Sequence, residues 1–438
     1  MNIFTRNTLW VLFYLFFTAG PLFVLLIGPL PPPRDFWTEF SAAAGYAGLA
    51  ILGLQVGLTA RFRAVTRPWG EDIIYHFHKQ ISFIALALII AHPVILFILR
   101  PERLALLNFI DAPWRARFAA ISTYSLIALI VMALWRVKLK ISYETWHYTH
   151  IILAVLAIGG GLLHTVAWGF YLDAPLKRAL WTGLAILWCC LLIYTRIVRP
   201  FLMLRKPYQV IATRNERGGS TTLVMQPLGH TGFPFVPGQF GWLNVWGSPF
   251  KLTSHPFSFS SSAEMAKQSI EMTIQDAGDY TRKIRNVTAG KRVYIDGPYG
   301  AFTVGNPADM HVLIAGGIGI TPMMSIIRTF ADNGDKRPII LIYGNKNWDD
   351  ITFREELEAL SGRINLQVIH VLEHPPKNWT GETGIITSAL IERYIPAPYE
   401  KHEYFICGPN RMMDEIEKTL SALHVPLAKY HSERYHFV

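Results

Sequence analysis

The apolar residues of this chain are crowded into its first half. Of 438 residues, 51% are hydrophobic, yet nearly all the long apolar runs lie before about residue 200. An α-helix rises about 1.5 Å per residue, so roughly 20 apolar residues cross a hydrocarbon layer about 30 Å thick. Six such spans are predicted, over Leu9–Leu30, Phe40–Ala60, His78–Leu99, Phe118–Trp135, Trp146–Phe170 and Ala179–Val198. The first 200 residues are therefore expected to form an all-α six-helix transmembrane bundle in contact with membrane lipid. The second span is rich in small residues (Ala42, Ala43, Ala44, Gly45, Gly48, Gly53, Gly57), which suits close helix packing. The first run is interrupted by Gly20-Pro21 and lacks a small-residue cleavage site before a polar sequence, so it is expected to be a retained helix rather than a signal peptide.

Six spans put both chain ends on one side. The loops of that side carry Arg61, Arg63 and Arg67, then Arg136, Lys138 and Lys140, and the exit from the last span carries Arg196, Arg199, Arg205 and Lys206. The opposite loops carry Arg100, Arg103, Arg115 and Arg117. This bias places both termini in the cytoplasm, in a bacterial inner or plasma membrane. It also accounts for the net charge of +10. No basic run is interleaved with aromatics, so a nucleic-acid partner is not expected. The three cysteines, Cys189, Cys190 and Cys407, form no CxxC and no set of four, which argues against an iron–sulfur cluster or a disulfide framework. No Ser-His-Asp arrangement or zinc motif points to hydrolysis.

Two histidine pairs share one spacing. His78 and His92 differ by 14 positions in the third span, as do His150 and His164 in the fifth. Fourteen helical residues advance about 21 Å and return to nearly the same face, about 40° short of four turns. A lone histidine at bilayer depth commonly hydrogen-bonds to a neighbouring helix. Two matched pairs fit a different role, because neutral imidazoles are axial ligands for haem iron and two can cap one iron from opposite sides. The third and fifth spans run in the same direction, so His78 would pair with His150 for an inner b-type haem and His92 with His164 for an outer one. His76 and His147 lack a partner at that spacing and are read as interfacial or propionate-side residues.

The pattern changes after Pro207. Period-two strands such as Tyr208–Ala212, Thr221–Gln226 and Ile270–Gln275, with a hairpin turn at Gly218-Gly219, predict a small antiparallel β-barrel over residues 205–304. From residue 308 to 438, apolar strands at His311–Ala315, Ile339–Tyr343, Leu366–Val371 and Tyr404–Cys407 alternate with helical patterns, which predicts an α/β domain with a parallel sheet. The strand His311–Ala315 runs into Gly316-Gly317-Ile318-Gly319-Ile320-Thr321-Pro322 and then a helix. Glycines permit close backbone approach to a pyrophosphate, the helix N-terminus favours its charge, and proline suits a first helical turn.

Other motifs stand around this loop in a telling order: His255-Pro256-Phe257-Ser258, Gly278-Asp279-Tyr280-Thr281, Gly297-Pro298-Tyr299-Gly300, Cys407-Gly408-Pro409 and the ending Arg434-Tyr435-His436-Phe437-Val438. Together they resemble the ferredoxin–NADP reductase family of flavoprotein modules. Joined to six spans with paired histidines, the whole chain resembles the ferric reductase and NADPH oxidase superfamily. The resemblance implies an FAD site at His255, Pro256, Phe257 and Ser258, with Ser258 near the reactive edge of the flavin. Thr281 and the turn Gly297, Pro298, Tyr299, Gly300 are implied to touch the ribityl and pyrophosphate parts. Gly316, Gly317, Gly319, Thr321 and Pro322 are implied to take NADPH or NADH. Cys407, Gly408 and Pro409 would lie beside the nicotinamide, and Phe437 would stack on the flavin. Related modules often carry a basic residue before Gly278-Asp279, where this chain has Gln275. Lys346, after the second strand of the nucleotide domain, is the candidate partner of a 2′-phosphate.

The expected activity is electron transfer from cytoplasmic NAD(P)H through FAD and two haems to an acceptor on the outer face. In the oxygen-reducing branch a further histidine often stands one turn beyond the outer ligand of the third span, and here that position is Leu96. This favours a ferric chelate over dioxygen as acceptor, with Lys177 and Arg178 either attracting an anion or anchoring the membrane interface. Two rivals stay open: a proton path whose histidines relay protons, and an electron-transfer subunit that feeds a membrane partner. The oligomeric state is not set by the sequence.

Overall fold

The computed structural model describes residues 3–66, 70–305 and 308–434. The chain divides into two compact units, with the boundary between Arg199 and Pro200.

The first unit holds six helices long and apolar enough to cross a membrane, so this is a multi-pass membrane protein. They are α1 (Ile3–Leu25), α2 (Phe36–Leu58), α3 (Glu71–Leu99), α4 (Trp114–Trp135), α5 (Tyr143–Trp168) and α6 (Pro175–Ile193). Helix α6 continues through a π-turn at Tyr194–Val198 into Arg199–Leu204. Helix α1 runs through Gly20-Pro21 but stops five residues short of the expected Leu30, and α3 begins at Glu71, a turn and more before His78. The side chains of Asp35 and Ser142 cap α2 and α5 by accepting from the backbone of Thr38 and Thr145. The small residues of α2 work as close-packing surfaces. A Cβ on Gly48 would stand 2.6 Å from Ile89 of α3, and one on Gly53 would overlap the Trp188 ring of α6. Helices α4 and α5 are drawn together the same way, with Gly160 against the Phe118 carbonyl and the Ser122 hydroxyl donating to the Ala157 carbonyl at 2.6 Å.

The second unit contains an antiparallel barrel and a parallel sheet. The barrel strands are β1 (Tyr208–Glu216), β2 (Ser220–Pro227), β3 (Phe240–Asn244), β4 (His255–Ser258), β5 (Ile270–Gln275) and β6 (Arg292–Tyr299), in the order β4-β3-β6-β1-β2-β5. A bridge between Phe259 and Met272 joins the two outer strands and closes the sheet on itself. Gly218 and Gly219, at φ of 65° and 66°, make the tight β1–β2 connection that a residue with a Cβ would strain. Leu223, Met225, Phe259, Met272 and Val293 fill the interior.

The parallel sheet has the order β10-β9-β8-β7-β11-β12, from β7 (His311–Gly316), β8 (Ile339–Asn345), β9 (Leu366–Leu372), β10 (Glu382–Thr383), β11 (Glu403–Cys407) and β12 (Tyr430–Ser432). Helices α7 (Ile320–Asp332), α8 (Arg354–Ser361), α9 (Ser388–Tyr394) and α10 (Asn410–Ala422) cover it, and buried apolar residues line both faces. The first strand, β7, lies between β8 and β11. The strand order therefore reverses there, and such a reversal opens a crevice at the carboxyl ends of the strands.

Candidate functional site

The four histidines of the membrane unit meet in two pairs. His78 and His150 have ring centroids 6.3 Å apart, and so do His92 and His164. Helices α3 and α5 therefore run parallel, and each 14-residue step carries both from one pair to the next. Two metal–nitrogen bonds of about 2 Å, plus about 1 Å from each nitrogen to its ring centre, span about 6 Å when two imidazoles face one metal ion. The pairs fit that distance. Among the described residues, no group of three or more His, Cys, Asp or Glu is placed to hold a bare ion. Haem, whose macrocycle supplies the four ligands around the iron and leaves two axial positions, is a group that such a pair of imidazoles could hold.

The hydrogen bonds behind the rings decide which nitrogen points inward. His92 Nδ1 lies 2.9 Å from the Ser41 carbonyl, and His164 Nδ1 lies 2.8 Å from the Arg115 carbonyl. A carbonyl only accepts, so each Nδ1 carries the hydrogen and each Nε2 presents a lone pair. His78 Nδ1 lies 2.7 Å from Gln55 Oε1. The Ser82 hydroxyl gives its one hydrogen to the His78 carbonyl at 2.6 Å, so it can only accept from Gln55 Nε2 at 3.4 Å. That orients the Gln55 amide with its oxygen toward His78, and again Nε2 is left as the free base. His150 Nδ1 has no hydrogen-bond partner among the described residues. Ser41 and Gln55 went unnoticed in the sequence, although they too are 14 residues apart, on the small-residue helix α2.

Other membrane-unit residues fall out differently. His76 is exposed, and His147 packs on Tyr143 with centroids 5.6 Å apart. Lys177 is not available to an anion outside the protein. It is buried, and its ammonium donates to the carbonyls of Leu25 at 2.6 Å and Pro29 at 2.9 Å, where α1 has run out of helical partners. Arg178 donates to the Leu172 carbonyl at 3.2 Å.

In the barrel, His255, Pro256, Phe257 and Ser258 form β4, paired with Leu243, Trp242, Gly241 and Phe240 of β3. Tyr280 ties this strand to the Gly278–Thr281 turn, its ring 3.9 Å from that of His255 and stacked on Phe257, its hydroxyl donating to the Leu243 carbonyl. Thr281 holds its own turn together, donating to the Gly278 carbonyl and accepting from the Ala277 amide. Gly297, Pro298 and Tyr299 are not a free turn as expected. They finish β6, because Tyr299 pairs with Phe240, and only Gly300, at φ 100°, leaves the ladder. A Cβ on Gly300 would stand 2.9 Å from Glu433, so the C-terminal segment returns to this end of the barrel. Phe437 lies outside the described residues.

In the parallel sheet, register places Gly316 beside Gly344 and Cys407 beside Ala315 at the carboxyl edge. The loops after β7 and β11 touch: a Cβ on Gly316 would meet Pro409 at 2.7 Å, and one on Gly319 would overlap the Cys407 carbonyl. On the other side Gly317, at φ 54°, has nothing within 4 Å of where a Cβ would be. Helix α7 starts with no side-chain cap among the described residues, so its first N–H groups face this open loop, an arrangement suited to a pyrophosphate. Thr321 is turned inward to the Ile318 carbonyl, and Pro322 sits in the first helical turn. The Cys407 side chain is buried, which pushes its thiol pKa up and keeps it protonated. Lys346 is exposed beyond the end of β8; two residues on, Trp348 packs at a tilt against Trp379 with the Arg354 guanidinium over its ring, a group that the sequence had not singled out.

A half-buried network locks the barrel to the nucleotide sheet. Arg328 of α7 donates to the Ser260 carbonyl at 2.7 Å and pairs with Glu271 of β5 at 3.0 Å and with Glu356 of α8 at 2.7 Å. Ser325 adds a hydrogen bond to the Ser261 carbonyl.

Comparison with known proteins agrees with this layout. Residues 44–161 match the family described as "Ferric reductase like transmembrane component", 221–303 that described as "FAD-binding domain", and 313–418 that described as "Oxidoreductase NAD-binding domain". NADH-cytochrome b5 reductase 1 of Pyricularia oryzae is 32% identical over 151 residues, covering 33% of this chain and 49% of that protein. The protein of the same name from Laccaria bicolor is 34% identical over 38% of this chain and 56% of its own length. The chain thus spans about half the length of the curated relatives it matches, and these fungal proteins lend no support to a bacterial membrane. Among solved structures, the FAD/NAD-binding domain of nitric oxide dioxygenase from Vibrio cholerae is similar over 52% of this chain and 97% of its own, at 23% identity and a TM-score of 0.46. A ferric-reductase-type membrane segment followed by flavin-binding and nicotinamide-binding domains is a ferric reductase/NADPH oxidase-like architecture, and this chain has it.

Proposed function

We propose that the protein carries electrons from cytoplasmic NADPH or NADH, by way of FAD and two b-type haems, to an acceptor on the outer face, a ferric chelate in preference to dioxygen. One observation carries the reading: two histidine pairs at the same 6.3 Å spacing on parallel helices, with three of the four imidazoles hydrogen-bonded at Nδ1 so that Nε2 is left as the free base. Nicotinamide gives up two electrons together and haem iron takes one, so bound flavin supplies the conversion between them.

The chain's own residues set position and environment. His78 and His150 would hold the inner haem, and His92 and His164 the outer. Gly316, Gly317 and Gly319 would bring bare backbone and the start of α7 to the nucleotide's phosphates, and Lys346, exposed beyond β8, would be the partner of a 2′-phosphate. Gly408 and Pro409, packed on Gly316, form the wall of the crevice. Cys407 shapes that wall as a neutral thiol rather than acting as a nucleophile. Ser258, His255 and Thr281 frame the flavin end, Tyr280 aligning the strand and the turn. The Arg328 network keeps the flavin and nucleotide sites in one fixed relation, which a direct transfer between them requires. Near the outer pair, Arg34 and Arg103 lie within electrostatic reach of His92, and Arg115 of His164. Arg34 is paired with Glu39, so with Lys177 buried, Arg103 and Arg115 are the cations that favour an anionic acceptor there. Both chain ends are assigned to the cytoplasmic side by the distribution of Arg and Lys.

An anaerobic reduced-minus-oxidised spectrum of the purified protein with NADPH or NADH tests flavin, haem and donor together. Sealed vesicles should reduce an external ferric chelate without oxygen. A protein with no haem absorbance would leave the histidines as a proton path. Vesicles that reduce no iron but make superoxide in air would move the acceptor to dioxygen, and activity only with an added membrane protein would make the chain an electron-transfer subunit.

A further inference from the structure

The two histidine pairs are supported unequally. In the outer pair both imidazoles donate to backbone carbonyls, those of Ser41 and Arg115, and the Ser41 hydroxyl, which donates to the His92 carbonyl, also lies 3.0 Å from His92 Nδ1. In the inner pair His150 Nδ1 has no partner among the described residues, and His78 Nδ1 relies on the side-chain amide of Gln55. Gln55 is buried, and the Ser82 hydroxyl holds its amide in the accepting orientation. An acceptor at Nδ1 draws the ring toward imidazolate character and makes Nε2 a stronger donor to a metal. A stronger axial donor stabilises the more highly charged, oxidised ion.

On these grounds we infer that Gln55 is a positioning residue that sets the reduction potential of the inner haem through His78. The inference rests on the haem reading. It gives the inner site one acceptor, a side-chain amide, where the outer site has two backbone carbonyls, so the inner midpoint lies above the outer on this account.

The test is redox potentiometry of the purified protein, with haem content measured alongside. Gln55→Met keeps the volume but removes the acceptor, and it should raise one midpoint and leave the other in place. Gln55→Glu supplies a stronger acceptor, and it should lower the same midpoint. Each change should be about tenfold in the one-electron equilibrium, or about 59 mV. A packing role would not reverse sign between the two variants. Midpoints that ignore both substitutions, or move the same way in both, overturn the role of Gln55 while leaving the haems in place. If Gln55→Met fails to fold, the downward shift in Gln55→Glu still decides the matter. A parent protein without haem overturns the haem reading itself and this inference with it.

Discussion

In the membrane unit the groups at the candidate site are four imidazoles, each at the tip of a helix-borne side chain and each repeated after four turns. In the soluble unit they are mostly glycines, and what faces the ligand is backbone at the carboxyl edge of a sheet. A helix satisfies its own N–H and C=O groups and offers only side chains to a ligand, so function there depends on periodic residue identity. A strand-to-helix turn offers unsatisfied N–H groups, so function depends on side chains being absent. The two units should therefore fail in opposite ways, one by losing a side chain and the other by gaining one.

The largest effect is expected from His92→Ala. It should leave one haem per chain instead of two and abolish delivery to the outer face, while NAD(P)H still bleaches the flavin. Pyridine haemochrome content and stopped-flow absorbance would show both. Unchanged haem content would break the membrane half of the contrast.

Next is Gly319→Ala. The added methyl has no way past the Cys407 carbonyl, which is backbone and cannot rotate aside. Flavin reduction by the nucleotide should slow at least tenfold, against full activity for Gly183→Ala in α6, where a Cβ meets nothing within 4 Å. Equal rates in the two variants would mean the loop does not work through close backbone approach.

A smaller effect should appear with pH. Glu403 is buried at the start of β11, where burial raises its pKa but hydrogen bonds from His311 and His431 outweigh that and hold it at about 2, against an ordinary 4.5. A depressed folded value means the stabilisation is complete above about 4.5 and drains away as pH falls toward 2. The thermal midpoint of the soluble unit should drop by a few degrees over that window, and Glu403→Gln should flatten the drop. An unchanged slope in the variant would remove Glu403 as its source.

The smallest effect concerns Lys346, a side chain on the backbone-dominated side. Lys346→Ala should lower the NADPH-to-NADH preference in kcat/KM by up to about fivefold, the scale of an exposed ion pair. An unaltered ratio would remove Lys346 from the site and sharpen the contrast between the units.

Much of this was legible in the residues, and the reason differs by region. The His78/His92 and His150/His164 spacing was readable because helix geometry converts sequence distance into a face and a depth without reference to anything else. The strand–turn–helix at β7 was readable because an apolar run, a glycine cluster and a proline in sequence mark the end of a strand and the first turn of a helix. Other features were not. Lys177 looked like a surface cation, but only the docking of α6 against the end of α1 brings unpaired carbonyls to its ammonium. Gly297-Pro298-Tyr299 reads as a turn from composition, yet pairing with β3 extends β6 through it. Arg328, Glu271 and Glu356 stand on three separate elements with no motif to join them.

The sequence by itself determined which helices carry the imidazoles, how far apart along each helix they sit, and where glycines leave the backbone bare. These are local quantities, set by 3.6 residues per turn and by the lack of a side chain. Only the tertiary structure decided that both histidine pairs close to a ring separation of 6.3 Å, that Ser41, Gln55 and Arg115 fix the ring orientations, and that the loops after β7 and β11 close on each other. Those depend on which helix faces and strand edges pack together, and a hydrogen bond across 23 or 51 residues leaves no trace in the local pattern of either partner.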